Sequence, residues 1–392
     1  MKKLLVLGGG VFQIPFVLKA KEMGVYVGLV DINKNSPAKL YSDEFFNESI
    51  LDIDAVRQIV QSFKPDGISV GTCETAMHTA TRVADEFGYP FLKEEIVNRA
   101  TNKILMLEAF KKCNVPSPEY AVIKQEDKVV WNGEYPVITK PSDKSASRGL
   151  YYVENSEELN KAVEISMASS DEKEVLIEEY LDGPEVSVEL LMMGAEPKVL
   201  QITDKITSGS PYYIELGQVQ PSMLSEDCKK SLAKCAMEAA VAVGLENCAV
   251  HAEIKMTSKG PKMVELAGRM GGHFIDSYLL EESTGYDLQK AVIRFALGDG
   301  IELSQSTKSP EGCAVQCILS KAGVVKNLSG IDEAKKLPDV VQVFVTVNIG
   351  DKLSDGKSNN DLIGYVVAKG ENAQCALDNC QKAIDKIEIL IE

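Results

Sequence analysis

Apolar positions along the chain fall into short runs and helical spacings that alternate. An apolar run over residues 3–7 ends in Gly8-Gly9-Gly10, a helical pattern continues through residue 23, and residues 25–31 (VYVGLVD) form a second run ending in a carboxylate. This is the β-turn-α-β beginning of a doubly wound parallel sheet. The rhythm continues with a helix over 54–63, the strand GISVGT and a helix over 76–87, which closes a first domain, residues 1–95. A helix over 101–112 and the extended Val115-Pro116-Ser117-Pro118 follow, because proline disfavours helix in the residue before it. Short strands (EYAVI, YPVITKP, LYYVE, EVLIEEYL) with one helix over 156–169 place a second unit at 96–185. Longer strands (VSVELLMM, KVLQITD), a helix over 226–243, two strands around Ser258-Lys259-Gly260 and a helix over 275–297 give a third, 186–305. The remainder, 306–392, reads as an α/β cap.

Composition narrows the function. At 392 residues, with 45% hydrophobic and 26% charged residues, the chain has the make-up of a multidomain globular protein. A net charge of −16 disfavours nucleic acid and anionic membranes as partners. The apolar run in MKKLLVLGGG is too short for a signal-peptide core or a membrane span and reads as a first strand. Nine cysteines without CxxC or zinc spacing point to reduced thiols and a cytoplasmic location.

The glycines at 8–10 with Asp31 outline a dinucleotide fingerprint, but its third glycine falls on Gln13. The first domain is therefore read as Rossmann-like and nucleotide-free, against the alternative of a nucleotide-binding oxidoreductase. More telling is residues 249–269, AVHAEIKMTSKGPKMVELAGR. Strand alternation puts His251, Glu253 and Lys255 on one face, and a turn near Lys259 sets Glu253 opposite Glu265. Like charges in that position repel. A divalent cation held with phosphate oxygens would relieve the repulsion, and so would a surface ion pair with the diagonal Lys255.

Upstream, Lys140 leads into a small-residue loop, residues 142–149, that suits either a phosphate cradle or a flexible hairpin. No G-x-x-x-x-G-K-[ST] pattern occurs. The acidic stretch Glu178-Glu179-Tyr180-Leu181 and Glu185 could offer backbone groups to a base edge and a carboxylate to a ribose.

Taken in order, Asn102-Lys103, Lys140 with its loop, Glu178 to Leu181, Glu185, Glu253 and Glu265-x-x-x-Arg269 resemble the ATP-grasp superfamily over nearly the whole chain. The resemblance implies an α/β and α+β architecture: a Rossmann-like pre-ATP-grasp domain, a two-lobed ATP-grasp domain with antiparallel sheets, and the C-terminal cap. It assigns Lys103, Lys140 and the loop residues Ser145, Ser147, Arg148 and Gly149 to ATP phosphates, Glu178, Glu179 and Leu181 to adenine, and Glu185 to ribose. Glu253 and Glu265 match the ligands of Mg²⁺ or Mn²⁺, although asparagine is common two residues after the second glutamate and here Ala267 stands there.

Within the superfamily, SGSPYYIELGQVQPSML followed by ELAGRMGGH is most similar to carboxylate-amine ligases of the L-amino-acid ligase (bacilysin synthetase) type. That implies Glu215 near the amine, Arg269 with the Gly271 and Gly272 amides on the acyl group, and His273 as a substrate contact where aspartate is frequent. The expected activity is amide formation through an acyl phosphate from ATP, on amino acids or another small carboxylate and an amine, by a homodimer. Carboxylation through carboxyphosphate and a non-catalytic ATP-binding regulator are the rivals.

Overall fold

A computed structural model describes residues 1–143, 149–209, 212–305 and 311–392. The first strands, β1 (Lys3–Leu7), β2 (Tyr26–Val30), β3 (Glu44–Phe46) and β4 (Gly67–Ser69), form a parallel sheet in the order β3-β2-β1-β4. Helices α1 (Ile14–Glu22), α2 (Ile53–Phe63) and α3 (Met77–Phe87) accompany it. Strand order reverses between β1 and β4, and the crevice beyond their carboxyl ends is where such sheets present functional groups. Gln13 plugs that crevice on the β1 side. Its amide donates to the Val70 carbonyl at 2.7 Å and its oxygen accepts from the Thr72 N–H at 3.2 Å. Asp31 accepts from the Gly9 N–H at 2.7 Å, so Asp31 is spent on the glycine turn and Gln13 on the segment after β4.

The expected helix over 101–112 is α5 (Lys103–Cys113), and a further helix that the pattern did not reveal, α4 (Glu94–Thr101), precedes it. Asn102 breaks them because its side chain accepts from the Ile104 and Leu105 N–H groups, capping α5. Beyond lies a small antiparallel sheet of β5 (Tyr120–Lys124), β6 (Val137–Pro141), β7 (Tyr151–Val153) and β8 (Glu174–Glu179), in the order β5-β8-β6-β7, with α6 (Ser156–Ser169) against it.

The central strands are β9 (Glu185–Met193), β10 (Glu196–Thr207), β11 (Glu215–Gln220), β12 (Ala249–Thr257) and β13 (Gly260–Ala267). Strand β11 is an element that the sequence pattern did not reveal. The sheet runs β13-β12-β9-β10-β11 and then continues into strands Gly312–Leu319, Leu362–Gly370 and Val340–Val345, without a break near residue 305. Alternation separates its faces. Val186, Val188, Leu190, Ala252 and Ile254 pack with Leu232, Ala236, Ala239 and Val243 of α7 (Glu226–Val243). The opposite face carries Glu185, Glu189, His251, Glu253 and Lys205.

The helix expected over 275–297 is interrupted. A π-helical turn, Ile275–Leu279, leads into α8 (Leu280–Thr284), Gly285 takes φ +74°, and α9 (Leu288–Ala296) restarts under an Asp287 cap. Among the described residues no helix is long and apolar enough to cross a membrane.

Candidate active site

Glu253 is paired with Glu265 as expected, but Thr257 rather than a residue one step on closes the turn against Gly260, and a bulge between Glu253 and Ile254 shifts the register to bring the two glutamates together. The cations that meet these carboxylates are not the expected one. Lys255 donates instead to the Leu181 carbonyl at 3.1 Å and lies over the Tyr180 ring. Lys103, first residue of α5, reaches Glu265 at 3.2 Å, and Lys205 of β10 reaches Glu253 at 3.1 Å.

Lys205 is the hub. Its side chain is 3% exposed and also meets Glu185 at 2.6 Å and Glu215 at 3.7 Å. Burial works against the ammonium, but Glu253, Glu185 and Glu215 outweigh it and hold its pKa well above the ordinary value. Burial likewise opposes Lys103, and Glu265, Glu74 and Glu178 raise its pKa nonetheless. Three carboxylates thus converge on one buried ammonium that was not singled out in the sequence. Its strand, EPKVLQITDKIT, is mixed polar and apolar, so nothing in the pattern set this lysine apart.

Glu215 is the start of β11, where its carboxylate accepts from His273 at 2.8 Å and from the Gln218 amide at 3.0 Å. Burial opposes its charge, but Lys205 and His273 bring its pKa down to about 2. A carboxylate that acidic stays anionic at neutral pH and is a poor proton acceptor, which fits holding an ammonium better than deprotonating one. His273 sits edge-on to Phe12 of the first domain, with ring centroids 4.9 Å apart. His273 and Phe274 both take left-handed backbone, φ +46° and +61°, an arrangement costly for non-glycine residues and found where surrounding structure enforces it.

Arg269 is buried and reaches across to the first domain, donating to Glu74 at 2.6 Å and to the Met270 carbonyl at 2.8 Å. Its Nε has no partner. Glu74 follows β4 at the reversal point of the parallel sheet, and sequence reasoning passed over it because its partner lies 195 residues away. The Gly271 N–H, expected to face an acyl oxygen, donates to Asp276 at 2.6 Å, so that amide is committed inside the protein. The Gly272 assignment is not affected by this bond.

On the other wall, Lys140 of β6 meets Glu178 of β8 at 2.7 Å, both nearly buried, and Glu179 pairs with Lys262 of β13, tying the small sheet to the hairpin. Glu185 accepts from Lys205, as above. Gly149 closes the small-residue loop with φ +73°, and its carbonyl accepts from Ser166. Ser145, Ser147 and Arg148 lie outside the described residues. Ala267 pairs with His251, so this position supplies no oxygen to the carboxylate corner.

Comparison with known proteins agrees with this geometry. The profile of the ATP-grasp domain matches residues 133–277, and that of L-amino acid ligase C-terminal domain 2 matches residues 316–392. The uncharacterized protein y4rH of Sinorhizobium fredii is 25% identical over 335 residues, 84% of this chain and 69% of that protein. The alanine–anticapsin ligase of Bacillus subtilis is 26% identical over 246 residues, covering 56% of this chain and 52% of the ligase, so the match spans about half of that relative. The crystal structure of an L-amino acid ligase from Bacillus licheniformis superposes with a TM-score of 0.84 at 21% identity, over 100% of this chain and 99% of that one. Beside a cleft lined by facing carboxylates and lysines, these matches lead to one conclusion: the chain carries an ATP-grasp domain followed by an L-amino acid ligase C-terminal domain.

Proposed function

We propose that the protein joins a small carboxylate, an amino acid in the simplest case, to an amine at the expense of ATP, releasing ADP and phosphate. The observation that carries this reading is the registered pair Glu253 and Glu265 set among three lysines, Lys103, Lys140 and Lys205. Such a set of fixed cations beside facing carboxylates suits a triphosphate with its counter-cation. The oxygen-only donor set suits Mg²⁺ or Mn²⁺, and two carboxylates with phosphate oxygens is a usual way to hold such an ion. Held there, the ion would supply neutralisation of the phosphates.

In this reading Glu178, Glu179 and Leu181 face adenine, Glu185 faces ribose, and Lys103 and Lys140 hold phosphates. The substrate carboxylate oxygen attacks the γ-phosphorus, ADP leaves, and an acyl phosphate forms. Charge gathers between two anions in that step, so fixed cations contribute most of the stabilisation. The ammonium first gives up a proton to solvent, the free amine nitrogen then attacks the acyl carbon, a second proton is lost from it to solvent, and phosphate leaves. Arg269, with the Gly272 amide, holds the acyl oxygen, while Glu215 orients the amine as its ammonium before attack and His273 borders the substrate. The nine free cysteines agree with a cytoplasmic setting, and light scattering would read the expected homodimer.

A matrix of amino-acid pairs with Mg·ATP, read by phosphate release and product mass, tests the proposal. The expected result is ADP and phosphate in step with a condensed product, abolished in Glu265→Gln. Turnover stimulated by bicarbonate without an amine would point to carboxylation instead. Wild-type turnover by Arg269→Ala would end the acyl-holding role.

A further inference from the structure

Behind the metal corner lies a buried polar chain that none of the roles above uses. His251 Nδ1 meets both oxygens of Glu189 at 3.0 Å, and its Nε2 lies 3.5 Å from Glu253 Oε1. Glu189 is 0% exposed and lies within side-chain hydrogen-bonding reach of Asp276, 2% exposed in the π-helical turn. Asp276 Oδ2 accepts from the Gly271 N–H, closing the chain on the glycine turn after Arg269. The fit is tight: a Cβ on Gly271 would lie 2.7 Å from His251 Nδ1.

The charges are self-consistent. Burial and then Glu189 push the Asp276 pKa well up, and Asp276 Oδ1 meets no donor, so the pair is satisfied when Asp276 carries the proton and donates it to Glu189. The His251 ring lies between two carboxylates, with Nδ1 on Glu189 and Nε2 toward Glu253. Every member then has a partner, and a fully satisfied buried network is rigid.

We propose that Asp276, Glu189 and His251 are positioning residues that lock the orientation of the Glu253 carboxylate to that of the Gly271 turn, so that the metal corner and the acyl-holding turn form one preorganised unit. The inference rests on the reading of Glu253 as a metal ligand. Groups that orient a ligand from behind commonly change metal affinity 10- to 100-fold when removed.

The test is Mn²⁺ binding at saturating ADP, read by loss of the free-ion electron paramagnetic resonance signal, in variants whose near-UV circular dichroism matches wild type. Asp276→Leu is expected to raise the half-saturating Mn²⁺ concentration about tenfold. Asp276→Asn, which still accepts from Gly271 and donates to Glu189, should bring it back within about threefold of wild type. Should Asp276→Leu fail to fold, His251→Gln, whose shorter amide cannot bridge Glu189 and Glu253, should show the same weakening. Wild-type Mn²⁺ affinity in the folded Leu or Gln variants, or no rescue by Asn, overturns the proposal. Glu253→Gln separates it from the reading beneath: unchanged Mn·ADP binding there removes the metal role, whereas weakening in Glu253→Gln alone removes only the coupling.

Discussion

Replacing Lys205 with methionine keeps the length of the side chain and deletes the ammonium at the centre of Glu185, Glu215 and Glu253. Lys205 and His273 together hold the Glu215 pKa down to about 2, so the ammonium supplies only part of that depression. Breaking a buried ion pair by removing one partner typically costs about 3–5 kcal/mol. For a cooperative unit of 150–250 residues, 3 kcal/mol lowers Tm by about 6–12 °C. The sign with pH is fixed by linkage. Glu215 is depressed in the folded state, so the stabilisation is complete above its unfolded pKa and disappears as pH falls from about 4.5 toward 2. Differential scanning calorimetry of wild type and Lys205→Met at pH 7 and pH 4 should therefore show a large gap that narrows on acidification. Mg·ADP should raise Tm more in the variant than in wild type, because a divalent cation would relieve the uncompensated carboxylates. A variant that melts with wild type at pH 7 would refute the hub.

Glu74→Ala releases Arg269 from its cross-domain partner and should lower kcat/KM at least about tenfold in the phosphate-release assay. Gly271→Ala places a Cβ against the His251 ring and should cost about 1–3 kcal/mol by denaturant melt, whereas at Gly272 the nearest atom is 3.8 Å away and alanine should leave stability within about 0.5 kcal/mol. His251, raised to about 10, contributes stability that is complete below about pH 6.5 and is lost as pH rises toward 10. Wild type should thus lose a few kcal/mol more than His251→Gln between pH 7 and pH 10 in urea titrations.

Much of the site was legible because its grammar is local. Period-two alternation puts Glu253 and Glu265 near one another across the turn, but their direct pairing also needs a one-residue bulge beside Glu253, which the pattern does not announce. The helix over 226–243 follows from its spacing, its Ser225 cap and Gly244 beyond its end, all encoded within a few residues. The ordered lysines, acidic hinge and Glu-x-x-x-Arg motif likewise carry the family, because each sits on one element.

What tertiary structure alone decided are the partners. Lys205 becomes a hub only when β10 lies beside β9 and near β11, and Glu74 meets Arg269 only when the parallel sheet docks on the central one. Lys255, the nearest cation in sequence, loses the carboxylates to Lys103 and Lys205 because the Leu181 carbonyl captures it. The Gly271 amide is claimed by Asp276 from the following π-turn, a bond that depends on a break in helical geometry. Side-chain facing is a property of one strand and can be read from it. Which charges neutralise one another in a cleft depends on distances between segments, and those exist only once the chain has folded.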